Sequence, residues 1–221
     1  MTPSRIDPDA FISAVEPLLK SQDVKGLHEA FTNKWTCEQL ESLLGSSHTD
    51  AKKVAILALG LVGRRCCVEE LATALRDADP VVHQLAEHAL WSVWFRCGST
   101  EARSELLRGT KAMNDRDFDA AHIHFNRSIQ LDPEFPEAYN QRAIAFYLQE
   151  DYGKSIADCR RAVWRMPVHF GAWAGMGHCQ AHANQIEDAI ESYRKALSIN
   201  PRLECVQMAV DELSKRLEQC A

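Results

Sequence analysis

Two histidines, His178 and His182, stand four residues apart with Cys179 between them. On a helix that spacing puts both imidazoles on one face, as a pair of metal ligands requires. A structural zinc site takes four ligands, and neither a carboxylate nor a second cysteine is placed to complete this one. The pair is therefore expected to lend polarity and pH sensitivity to a binding surface, with no metal bound. His122 and His124 are two apart and splay around a helix, which predicts surface positions. Cys66 and Cys67 are adjacent and are expected to be an ordinary packed pair and not a redox centre. Lys154, Arg160, Arg161 and Arg165 form a basic cluster opposed only by Asp158. It reads as a solvated face, with a dock for an acidic partner as the alternative. The chain has no Gly-rich phosphate loop, nucleophile elbow or His-Glu metal motif, so no enzyme and no cofactor is expected.

The elements that must position these residues are set by three prolines, Pro133, Pro167 and Pro201, each 34 residues from the next. With proline as position 32, units run 102–135, 136–169 and 170–203. Position 8 is then Gly109, Ala143 and Gly177, and position 24 is Phe125, Cys159 and Tyr193. Small residues face large ones where two helices must interdigitate. Apolar residues at helical spacing, such as Ile186, Ala189, Ile190 and Tyr193, predict amphipathic helices. Polar turns separate them, and each proline follows a helix end, where its missing N–H costs little. Residues 204–220 keep the helical pattern with a charged opposite face, as a capping helix would.

These markers resemble the tetratricopeptide repeat family over about half the chain. Glu105 and Arg108 depart from it in the first unit, where the family prefers an aromatic residue and a leucine. The resemblance implies a right-handed α-solenoid whose concave groove binds a peptide or protein partner. It places Arg103, Leu106, Thr110 and Met113 in that groove, with Asn140, Gln141, Ile144, Tyr147, Leu148, His178 and His182. The co-chaperone branch grips a terminal carboxylate with cations and an asparagine. The matching positions here hold Leu106, Thr110, Gln141, Gly171 and Gly175, none of them cationic, so no carboxylate clamp is expected. Tyr147 and Met113 are expected anchors, and Asn140 and Gln141 partners for a peptide backbone. For Leu106, Ile144 and Leu148 simple packing between helices is the competing reading.

The first hundred residues carry a shorter period of 31: Ala55, Ala58, Leu59 and Val62 recur as Ala86, Ala89, Leu90 and Val93. Over about 60 residues this resembles the short HEAT repeats of families related to phycobilisome lyases. Asp7-Pro8 predicts a helix start, Pro17 a kink or interruption, and Thr36 with Gln39 a capping box. Trp91 and Trp94 are expected to pack against the first helix of the 34-residue array. The join at Cys97-Gly98-Ser99-Thr100 is too short for a flexible linker. The expectation is an all-α solenoid, HEAT-like over 1–100 and tetratricopeptide over 101–221, continuous across the join.

At 221 residues, with 46% hydrophobic and 25% charged, the composition is that of an ordinary globular chain. Its net charge of −6 is spread evenly, 10 basic against 13 acidic residues in 1–100 and 15 against 18 in the rest. That disfavours nucleic acid as a partner. Eight dispersed cysteines predict reduced thiols, and no apolar run predicts secretion or a membrane span. The setting expected is the bacterial cytoplasm. The role expected is a non-catalytic scaffold for a protein partner. A lyase-like or chaperone activity through the HEAT-like segment and structural self-assembly are the alternatives.

Overall fold

The computed structural model describes residues 6–220. Residues 1–5 and 221 and the side chain of Cys220 lie outside that description, and with them the start of the N-terminal segment and one of the eight thiols. The described chain is helical, in two compact units, 1–94 and 95–221. No described helix is long and apolar enough to cross a membrane.

The first unit contains α1 (Pro8–Lys20), α2 (Val24–Lys34), α3 (Cys37–Ser42), α4 (Thr49–Val62), a 3-10 turn (Arg65–Cys67), α5 (Val68–Ala74) and most of α6 (Pro80–Arg96). Asp7 caps α1, accepting from the Asp9 N–H at 3.0 Å. The helix then runs on through Pro17, so of the kink or interruption expected there the interruption is corrected. Pro17 lies in the last turn, and the bond it forfeits is offset there by burial of Phe11 and Val15 on the same helix. Thr36 and Gln39 form the expected capping box. The 31-residue offset relates α4 to α6: Ala55, Ala58 and Leu59 and their counterparts Ala86, Ala89 and Leu90 are all buried. Trp91 and Trp94 pack edge to face, 4.9 Å between centroids.

The second unit is an α-solenoid of antiparallel pairs, α7 (Thr100–Asn114) with α8 (Phe118–Leu131), α9 (Pro136–Leu148) with α10 (Tyr152–Arg165), and α11 (Phe170–His182) with α12 (Ile186–Ile199). Then α13 (Glu204–Cys220) packs on α12. Each pair closes with one turn geometry. Arg116, Glu150 and Asn184, spaced by 34, have φ of 61°, 61° and 59°. The next residue's N–H bonds back to the helix in every case, Asp117 to Ala112 O, Asp151 to Phe146 O and Gln185 to Gln180 O. This left-handed cap satisfies carbonyls the helix end leaves open. Asp117 and Asp151 then cap the second helices through their carboxylates. The α1–α2 connection repeats the turn, with Gln22 at φ 55° and Asp23 as cap.

Position 8 shows why the units interlock. A Cβ on Gly109 would sit 2.6 Å from the Phe125 ring, and one on Gly177 2.5 Å from the Tyr193 ring. In the middle unit Ala143 is tolerated because Cys159, not an aromatic ring, packs with it.

Candidate functional site

The surface formed by α9 and α11 carries apolar and imidazole groups together. Ile144 and Leu148, one turn apart on α9, are 37% and 53% exposed, and Leu107 on α7 is 60% exposed. Beside them the Tyr147 hydroxyl lies 3.3 Å from His182 Nε2, with the rings edge to face. Tyr152 stacks on His182, 5.0 Å between centroids and 15° between planes, and its ring also lies 5.9 Å from that of Tyr147, so the three rings form one cluster. His178 turns to a different partner, its Nδ1 2.8 Å from the Tyr193 hydroxyl. The protein around that ring disfavours the charged form, and like-charge repulsion from His182 adds to it, so its pKa is held below the usual imidazole value. Burial pushes the Tyr193 phenol up to about 12. Among the described residues no third metal-ligating side chain joins the two histidines.

Four residues expected in the groove are buried: the expectation is corrected for Met113, Asn140 and Gln141, and for Leu106 the competing reading, packing between helices, is the one found. Leu106 and Met113 belong to the core between α7, α8 and α9. Asn140 and Gln141 are spent on a neighbour: their amides donate to Glu137 Oε1 at 3.2 and 2.6 Å. The other oxygen of Glu137 lies 2.8 Å from His169 Nε2. His169 Nδ1 accepts from the Ala172 N–H at 3.1 Å, so the ring's proton sits on Nε2 and points at the carboxylate. Buried, and each committing an N–H to this carboxylate, the two amides are not presented to a peptide backbone. The remaining members, Arg103, Thr110, Ile144, Tyr147, Leu148, His178 and His182, are exposed or half-buried. Of these, Tyr147 and His182 are brought into contact.

The basic cluster on α10 is largely neutralised within the chain. Lys154 pairs with Asp151 at 2.6 Å, and Arg161 with Asp158 at 2.8 Å. Arg165 donates to Pro133 O and lies over the Tyr139 ring, 4.4 Å from its centroid. Asp158, buried, also receives a two-pronged contact from Arg142 at 2.6 and 2.8 Å. Charges so paired fit the solvated-face reading better than a dock. His122 and His124 are both half-buried and tied to neighbouring helices. His122 bonds Gln149 and stacks on Phe146, while His124 lies 2.7 Å from Glu105. Glu105 also holds Arg108 at 2.8 Å, so the first unit's departure from the aromatic pattern is a polar cluster joining α7 and α8.

Comparison with known proteins matches residues 106–166 and 171–203 to two family models, both described as tetratricopeptide repeat. A small glutamine-rich tetratricopeptide repeat-containing protein 2 of Mycosarcoma maydis is 27% identical over 118 residues, 52% of this chain and 34% of the relative. A TPR repeat-containing protein of Rhizobium etli is 25% identical over 64% of this chain and 70% of its own. Among solved structures, the first TPR domain of Spaghetti (RPAP3), bound to the HSP90 peptide SRMEEVD, superposes with a TM-score of 0.53 at 21% identity. It covers 54% of this chain and 95% of that one. The Sgt2 TPR domain from Aspergillus fumigatus gives 0.53 at 18% identity, over 56% and 83%.

Proposed function

We propose, from the premise that residues 106–166 and 171–203 of this chain are tetratricopeptide repeats, that it is a non-catalytic adaptor binding a segment of a partner protein on the α9–α11 surface. The observation that carries this is the exposed pair Ile144 and Leu148 beside the Tyr147–His182 contact. Exposed aliphatic side chains next to aromatic rings and hydrogen-bonding tips are the composition of interface anchors.

The peptide in the Spaghetti complex ends in an acidic residue and a carboxylate. Here the clamp positions are uncharged, and two of them, Leu106 and Gln141, are buried. The reading is therefore a segment recognised through apolar side chains and imidazoles, not through its terminal charge. Capture from a native lysate tests it, with wild type beside an Ile144→Glu, Leu148→Glu variant. Loss of a specific protein from the variant, with helicity unchanged by circular dichroism, is the expected result. Identical captured sets would move the working surface elsewhere.

A further inference from the structure

Three sulfurs meet in the first unit, far in sequence from the groove. Cys37 is the first residue of α3, and Cys66 and Cys67 end the 3-10 turn that leads into α5. Their Sγ atoms all lie within 4.8 Å of one another, those of Cys66 and Cys67 3.8 Å apart, and all three thiols are free. At a zinc–sulfur bond of about 2.3 Å, two thiolates at a tetrahedral angle stand about 3.8 Å apart. The cluster thus already has the dimensions of a shared-ion site.

Both chain segments are held locally. The capping box fixes the start of α3, with Thr36 N–H donating to Gln39 Oε1 at 3.0 Å and Gln39 N–H to Thr36 Oγ1 at 3.3 Å. The Cys67 N–H closes the 3-10 turn on Arg64 O at 3.0 Å. Cys67 is buried, Cys37 half-buried and Cys66 exposed, so the site has a protein floor and one side open to an entering ion. Glu41, one helical turn after Cys37, interacts with the Cys67 thiol, and its Oε1 is buried with no hydrogen-bond partner. A buried carboxylate oxygen left unsatisfied, on a side chain that reaches the Cys67 thiol of the cluster, has a reason to be there if it faces a cation.

We propose that Cys37, Cys66 and Cys67 bind one Zn²⁺ ion as thiolates, with Glu41 turning in as the fourth ligand. Each thiol gives up its proton to solvent as a Zn–S bond forms, so three protons leave per ion bound and no oxidant is involved. The ion would staple α3 to the turn before α5, segments that no disulfide joins.

The test uses the full chain, purified under a non-thiol reductant and stripped of metal, and titrated with Co²⁺ and then Zn²⁺. One Co²⁺ per chain with thiolate-to-cobalt charge-transfer absorption, bleached by one equivalent of Zn²⁺, is the expected result. Cys37→Ser and Cys66→Ser, at the accessible positions, should each weaken Zn²⁺ binding by about tenfold or more, while Cys205→Ser leaves it unchanged. Zn²⁺ should also slow iodoacetamide labelling of Cys66 by about tenfold or more, since a ligated thiolate is not free to react. Absence of the charge-transfer band in wild type, or a band of unchanged intensity and Zn²⁺ affinity in Cys37→Ser, overturns the site. Binding of Cu⁺ without Co²⁺ or Zn²⁺ overturns the assignment of the ion.

Discussion

The Nε2 atom of His169 lies 2.8 Å from Oε2 of Glu137, and neither side chain is exposed. The contact ties the turn before α11 to the first turn of α9, and Asn140 and Gln141 complete it on the other oxygen. Replacing Glu137 by Ala strands three buried donors at once. The expected cost is about 3 kcal/mol or more, read as a lowered urea midpoint with an unchanged slope. Glu137→Gln should cost less, because the oxygen serving the two amides survives. A loss under about 1 kcal/mol for Glu137→Ala would show that the network is not structural.

Gly177 and Tyr193 are matched by shape. Gly177→Ala drives a methyl into the ring and should destabilise by about 1–3 kcal/mol. Gly175, two residues earlier, is the internal control: a Cβ there meets only Cys159 Sγ, at 3.8 Å, so Gly175→Ala should be neutral or stabilising by about 0.5–1 kcal/mol. Thermal unfolding of the two single variants decides it, and equal effects would refute the packing argument.

The left-handed turns offer stabilising changes. Glu150 is a non-glycine residue at φ 61° and is exposed. Glu150→Gly should stabilise by about 0.5–1 kcal/mol, relief of strain outweighing the added freedom of the unfolded chain. Asn184 tolerates this conformation better, so Asn184→Gly should gain less. Chemical denaturation of both variants checks the order, and a destabilised Glu150→Gly would contradict it.

The 34-residue period made the second unit legible because proline, glycine and aromatic positions report backbone constraints that partners cannot override. Pro133, Pro167 and Pro201 each fall two residues past a helix end. What the period could not convey is how polar side chains spend their hydrogen bonds. Asn140 and Gln141 occupy groove positions by register, yet a carboxylate three or four residues back on their own helix claims them. The signal was present in Glu137 and His169, positions 2 and 34 of the middle unit, but it needs three dimensions to pair them. Cys37 was equally hidden, since it meets Cys66 and Cys67 only through the fold of α3 and α4. Pro17 shows the reverse error, a local rule that tertiary burial outweighs.

Lys52 and Lys53 make the acid limb of stability testable. Lys52 Nζ lies 2.6 Å from Asp77 and Lys53 Nζ 2.8 Å from Asp79. The lysine hydrogen bond first, and a backbone N–H second, holds each carboxyl below its ordinary value of 3.8. A carboxyl whose pKa is depressed in the folded state contributes stability above its unfolded pKa and loses it as pH falls through the folded one. The urea midpoint should therefore hold down to about pH 5 and decline below about pH 4. In a Lys52→Met, Lys53→Met variant the midpoint at neutral pH should be lower and the decline shallower, with Glu105 and Asp151, also held low by their partners, supplying what remains. Parallel curves for the two proteins, offset by a constant amount, would mean that the lysines act through packing of their methylene stems and not through the carboxylates.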